Sequence, residues 1–297
     1  MTITPGYWSE VGRDARAPRE AAMRIDIHAY AGHWPFRKLP GNTCDALLAR
    51  MNRYGVDLSV VGNIHGIFYK NTQAANEELA EWVRPHGARL LPFAVINPSY
   101  AGWRYDLDAS RKKLGMKGVR LYPQYHDYKP GDAVCIECVR AAGDLGMPVA
   151  FSLRLIDDRQ RSWLDIDKEL SLEEIAAVAE AVPRARIIVL HAMISTRPFN
   201  RQAADDEKKQ QQLAEVLRKS NVLFDTIYAS GCGVTGPNAY DLRAAIERYG
   251  PDKFAFGTAS PFREYVSPFL RLEVAKEADA ATKEMMRSGN ARRFLQL

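Results

Sequence analysis

Short apolar runs in this chain carry single polar residues of the kinds that move protons or grip anions. Asp26-Ile-His28-Ala-Tyr30 sets an imidazole and a phenol two residues apart, and Val119-Arg120-Leu121-Tyr122 does the same with a guanidinium and a phenol. Phe151-Ser152-Leu153-Arg154, Leu190-His191, Phe224-Asp225-Thr226 and Gly257-Thr258-Ala259-Ser260 continue the pattern. Asn63, His65, Asn97, His126 and Arg263 stand just beyond such runs. Imidazole changes charge near neutral pH and serves as acid or base. Guanidinium binds carboxylates through charge-assisted hydrogen bonds, and a phenol can donate to a developing oxyanion. Together they predict acid–base chemistry on a small anionic substrate. The cysteines predict less. Cys135-Ile-Glu-Cys138 has no second pair to complete a zinc ribbon and reads as the buried face of a helix, and Cys232 has no adjacent base.

Eight short apolar runs predict strands over Arg24–His28, Val56–Asn63, Arg89–Ile96, Gly118–Tyr122, Pro148–Leu153, Arg186–His191, Val222–Thr226 and Lys253–Gly257. Helix-period segments lie between them. Ala75, Leu79, Trp82 and Val83 form one stripe, Ser171 with Glu174 spells a capping box, and a helix is expected over Asp205–Lys219. Gly55, Gly87, Gly115, Gly146 and Gly250 fall where a left-handed residue would end a helix. Alternating strands and helices fit a barrel or a doubly wound sheet. A glycine-rich phosphate turn would favour the sheet, but the first turn reads Ala29-Tyr30-Ala31-Gly32-His33. The expected fold is α/β, a (β/α)8 TIM barrel over residues 24–297 with an N-terminal arm over 1–23. In that architecture the strand ends and the loops after them carry the chemistry.

The chain has 297 residues, 46% hydrophobic and 26% charged, with a formal charge of +5. That is the composition of a globular protein, and a core of this size needs no disulfides. No basic run marks a nucleic-acid partner, and no apolar stretch approaches 18 residues, so no membrane partner is expected. The N-terminus lacks the apolar segment of a secretory signal, and the expected location is cytoplasmic.

The motifs also follow one another in a familiar order. Asp26-Ile-His28-Ala-Tyr30, Asn76-Glu-Glu-Leu-Ala-Glu-Trp82, Gly118-Val-Arg-Leu-Tyr-Pro123, Met147-Pro-Val-Ala-Phe-Ser152, Val189-Leu-His191-Ala, Phe256-Gly-Thr-Ala-Ser-Pro261 and Gly289-Asn-Ala-Arg-Arg-Phe294 run from about residue 24 to the C-terminus. In this the chain resembles the amidohydrolase-related family, in the branch of aminocarboxymuconate semialdehyde decarboxylase and the sugar-lactone hydrolases. The resemblance implies a metal centre with two histidines on strand one, a third on strand five and an aspartate on strand eight. Here those positions hold His28, Tyr30, Ser152 and Ala259, while the strand-six histidine is kept as His191. A catalytic zinc takes about three protein ligands, so the usual metal centre is expected to be absent.

These readings predict a metal-independent enzyme of the family acting on a small carboxylated molecule by lactone hydrolysis or isomerisation. His191 and His28 divide the base and acid roles, Tyr30 polarises a carbonyl, and Asp225 orients an imidazole. Arg120 with Arg154 or Arg197 holds the substrate carboxylate, and Tyr122, His126 and Ser152 line the same space. One alternative is a decarboxylase or hydrolase holding one zinc or manganese ion in a rebuilt ligand set, with His126-Asp127 joining His28 and Asp225. Another is a catalytically inactive protein that binds a small molecule or partner through the same mouth. A homodimer is expected, and the basic segment Ser195–Ala204, with Arg197, is a candidate lid.

Overall fold

Order in sequence becomes order in space. In the computed structural model, which describes residues 23–155, 162–166, 168–192, 203–226 and 242–297, eight parallel strands lie side by side in chain order. They are β1 (Ile25–Ala31), β2 (Leu58–Asn63), β3 (Leu90–Val95), β4 (Gly118–Leu121), β5 (Val149–Ser152), β6 (Ile187–Leu190), β7 (Val222–Asp225) and β8 (Phe254–Ala255). The sheet returns to its start. Ile27 N donates to Phe256 O at 2.9 Å and Tyr30 N to Ser260 O at 2.7 Å. Parallel neighbours need crossovers, and helices supply them, among them Cys44–Tyr54, Gln73–Val83, Ala133–Asp144 and Leu172–Ala181. The chain is a (β/α)8 barrel.

Alternation along the strands separates two cores. Val61, Ala94, Val119, Leu121, Val149, Phe151, Val189 and Phe224 pack beneath the helices. Ile27, Val60, Phe93, Ala150, Ile188, Leu223 and Ala255 fill the interior together with Ala291 and Phe294 of the C-terminal helix Asn290–Leu295, which plugs one end. At the other end Tyr30, Trp34, Val95, Tyr122 and Leu155 form a third cluster, with Phe36, Phe68, Tyr125 and Phe262 against it.

The register of β1 slips between Asp26, opposite Ser59, and Ala29, opposite Val61. Ile27 and His28 thus face a single partner residue, which is a β-bulge. Ile25 and Ile27 belong to the interior before the slip, and His28 and Tyr30 point inward after it. Asp26 supports this irregularity. Its Oδ1 accepts the backbone N–H of His28 at 2.9 Å and of Thr258 at 3.1 Å, and its Oδ2 accepts the Thr258 hydroxyl at 2.7 Å.

Most of the punctuation follows expectation. Ser171 and Glu174 make both halves of the capping box, and Gly55, Gly115, Gly146 and Gly250 have positive φ. Gly87 does not: its φ is −56°, because Pro85 lies in a 3₁₀ turn over Arg84–His86 that carries the chain out of its helix without a left-handed residue. Cys135 and Cys138 are buried free thiols on one helix, and burial pushes the Cys135 thiol up to about 12. The N-terminal arm, residues 1–22 of it, lies outside the described residues.

Interior packing leaves no spare volume at Gly118, where an added Cβ would stand only 2.4 Å from Phe93 Cε2 and Cζ. Gly118→Ala is expected to lower stability by about 1–3 kcal/mol, read as a lower midpoint in thermal or denaturant unfolding. An unchanged midpoint would show that the Phe93 ring has room to move.

Candidate active site

The mouth of the barrel gathers the polar residues that the strand ends carry. Asp225, at the end of β7, accepts the backbone N–H of His191 at 2.7 Å on Oδ2 and of Ala192 at 3.3 Å on Oδ1. The same Oδ2 lies 2.6 Å from His28 Nδ1. A carboxylate can only accept, so Nδ1 carries the hydrogen and Nε2 is left as an acceptor. Tyr30 stands 3.0 Å from Nε2 and donates its phenolic hydrogen there, while its oxygen lies 3.3 Å from Ser152 Oγ. The result is one file of proton-bearing groups: Asp225, His28, Tyr30, Ser152. All four are buried.

Glycines make this crowding possible. A Cβ on Gly257 would stand 3.0 Å from Asp225 Cβ and 3.1 Å from His28 Cβ, and one on Gly62 would stand 2.7 Å from Arg120 Nε. Into the space over Gly62 the Arg120 guanidinium inserts, 4.4 Å from the centroid of the Tyr30 ring, donating to Ala29 O at 2.9 Å. His191 packs edge-on against His28 with ring centroids 4.4 Å apart, and its backbone is left-handed, φ 54°. A non-glycine residue held there is strained, and Asp225 holds it through its backbone N–H.

Burial dominates the titrations. It drives His28 well below the ordinary imidazole value, with Arg120 and Arg263 pushing the same way. It does the same to His191, to which His28 adds. It pushes the Tyr30 phenol far up, and the Asp26 carboxyl up to about 7. Burial thus opposes charge on both imidazoles and on the phenol.

Of the residues predicted from sequence, His28, Tyr30, Ser152, His191, Asp225 and Arg120 come together, with the Tyr122 hydroxyl against the guanidinium. His126 sits at the mouth but outside the file, its Nε2 donating to Gly66 O at 3.2 Å. Arg154 pairs with Glu169 at 3.3 Å. Arg197, the Ser195–Ala204 segment as far as 202, and Cys232 lie outside the described residues. Asn63 and His65 both bind Glu78, at 2.8 and 2.7 Å, and tie down a loop. Sequence reading missed the bulge at Ile27–His28 and the clearances at Gly62 and Gly257. Only the Asp26-Ile-His28 spacing hinted at the first.

Where the family resemblance implies metal ligands, the donors do not suit an ion. His28 has both nitrogens engaged, Tyr30 holds its proton, Ser152 offers a hydroxyl and Ala259 a methyl group. Among the described residues no group of three or more His, Cys, Asp or Glu is placed to hold a metal. A rebuilt set of His126, Asp127, His28 and Asp225 is not assembled either.

Residues 25–297 match the amidohydrolase family. No curated protein matches the sequence. Among solved structures, the 5-carboxyvanillate decarboxylase LigW from Sphingomonas paucimobilis is 15% identical with a TM-score of 0.68, covering 93% of this chain and 100% of that one. The 2,6-dihydroxybenzoate decarboxylase from Rhizobium is 16% identical with a TM-score of 0.65, covering 92% and 98%. A dihydroxybenzoic acid decarboxylase from Polaromonas, solved with bound manganese and an inhibitor, is 16% identical with a TM-score of 0.67, covering 93% and 97%.

The buried imidazoles set an acid limit on stability. Burial lowers His126 to about 4 from an ordinary 6.5, so the unfolded chain binds a proton that the folded chain refuses between those values. Its stabilising contribution is whole above pH 6.5 and is lost as pH falls toward 4. Asp26, raised to about 7, acts oppositely, its contribution being whole below 3.8 and lost as pH rises through 7. The unfolding midpoint of His126→Gln is expected to fall less between pH 7 and pH 5 than that of the parent. Parallel curves would mean that His126 titrates normally.

Proposed function

The chain belongs to the amidohydrolase family, and we propose that it is an enzyme of that family that works on a small carboxylated substrate without a metal, by lactone hydrolysis or isomerisation. The observation that carries this reading is the hydrogen-bonded file Asp225–His28–Tyr30. His28 cannot itself touch substrate, because Asp225 and Tyr30 use both of its nitrogens. The phenol is the outer member. As a proton leaves water or an acidic C–H for Tyr30 Oη, the hydroxyl's own proton passes to His28 Nε2, and Asp225 balances the imidazolium. In hydrolysis the hydroxide so formed adds to the lactone carbonyl, and the departing ring oxygen takes the proton back along the same path. In isomerisation the proton returns to a different carbon. Burial opposes charge on either group alone, so the two transfers must be concerted with the substrate's change.

This assigns Tyr30 the direct acid–base role that sequence reading divided between His191 and His28. His191 braces the His28 ring, and its backbone completes the cradle of Asp225.

A second reading is decarboxylation. It is favoured by the names of the similar structures, three decarboxylases of aromatic acids. The same file could deliver a proton to the carbon that loses carbon dioxide.

Protein purified without chelator is expected to hold no stoichiometric zinc or manganese and to turn over members of a lactone and keto-acid panel unchanged by EDTA. Tyr30→Phe and His28→Asn are each expected to lower kcat by about 10²–10⁴. Activity that depends on a bound metal would overturn the metal-free reading. Carbon dioxide release from an aromatic carboxylate panel, with the lactones inert, would select decarboxylation.

A further inference from the structure

A second cavity, of about 610 Å³, is lined by the loop after β1 and by residues at and beyond the ends of the helices Cys44–Tyr54 and Gln73–Val83. That is the volume of a small-molecule site. None of the residues of the proton file lines it. The loop from Gly32 to Asn42 stands between the two. Gly32 N donates to Asn42 O and Asn42 Nδ2 donates to Gly32 O, each at 2.8 Å, which closes the loop on itself. Trp34 and Leu39 of this loop pack with Tyr30 in the mouth cluster, whereas His33 and Asn42 line the cavity.

The polar lining is equipped to accept hydrogen bonds and positive charge. It includes the carboxylates of Asp45 and Glu81 and no lysine or arginine, in a chain whose formal charge is +5. Asp45 Oδ1 takes the Nε2 hydrogen of His86 at 3.0 Å, and Oδ2 remains. The Asn42 amide spends both of its hydrogens, one on Gly32 O and one on His33 Nδ1 at 3.1 Å, so Oδ1 is what it has left to offer. Beside these acceptors stand Pro85 and the indole of Trp82, packed edge-to-face with His65 at 5.7 Å. Indole is the aromatic surface that cations prefer. Among the described residues no three His, Cys, Asp or Glu converge to hold a metal, so the cation that suits this lining is an organic one.

We propose that this cavity is a second binding site of the barrel, for a small organic amine that carries an aryl or alkyl group. Its ammonium meets the carboxylates of Asp45 and Glu81, with Asn42 Oδ1 as a further acceptor, and its apolar part rests on Trp82 and Pro85. The site is separate from the proton file, and its occupation needs no turnover.

The full chain is titrated by calorimetry with 4-bromobenzylamine hydrochloride and, separately, with 4-bromobenzyl alcohol, and crystals are soaked in the amine. Saturable binding of the amine is expected, at least tenfold tighter than of the alcohol, with the bromine located beside Trp82 and Pro85. Each half-exposed carboxylate contributes about threefold, so the double variant Asp45→Asn with Glu81→Gln should bind about tenfold more weakly. Trp82→Leu should lose about threefold. Equal affinity for amine and alcohol, or parental affinity in the double variant, would overturn the assignment of a cationic ligand. No saturable binding in solution, or a bromine found only elsewhere, would overturn the site. Should Trp82→Leu fail to fold, Glu81→Gln, at an exposed position, carries the test alone: a loss of about threefold upholds the site and an unchanged affinity refutes it.

Discussion

Three N–H groups converge on one carboxylate at the mouth of this barrel, and much of the site's geometry follows from satisfying it. Asp225 takes the backbone hydrogens of His191 and Ala192 and the ring hydrogen of His28. The first two fix a residue whose backbone would not choose a left-handed turn unaided. The third fixes which nitrogen of His28 is left to accept, and hence which way the Tyr30 hydroxyl points. One acid thereby sets the rotation of an imidazole, the direction of a phenol and the shape of the turn after β6. The close approach of β7, β1 and β8 that this requires is open only because residue 257 has no side chain.

The fold was largely legible in the sequence, and the reasons are physical. Strands buried on both sides read as continuous apolar runs, and helices between them show the 3.6-residue period, so each of the eight predicted segments overlaps its observed strand. The site was legible in its membership, since a lone His28, Arg120, His191 or Asp225 in such a run has no solvent to face. Its wiring was not. Strict alternation puts His28 on the face opposite Ile27, and the bulge that unites them depends on where Asp26 finds hydrogen bonds two hundred residues away, on Thr258. Pairings such as His28 with Asp225 are set by barrel closure, which no local pattern encodes. The Gly87 reading failed for the opposite reason: a local rule was overridden by a proline two residues earlier.

Where the resemblance implies metal ligands, the side chains at the mouth of this barrel hydrogen-bond to one another. Tyr30 and Ser152 occupy places where imidazoles are implied, and they join His28 in a chain of hydroxyl and ring protons. Such a chain works by direction and not by charge, so its members must be held rigidly. The aromatic packing around it, Tyr30 on Phe262 and Phe262 on Trp34, gives that rigidity without adding competing polar groups.

The plug formed by Ala291 and Phe294 at the far end of the barrel bears on traffic through it. With that end stoppered by apolar side chains, whatever enters must leave by the door it came in. A reaction yielding two molecules would then release them in sequence, the one nearer the rim first, and the deeper one would be the product that competes with fresh substrate.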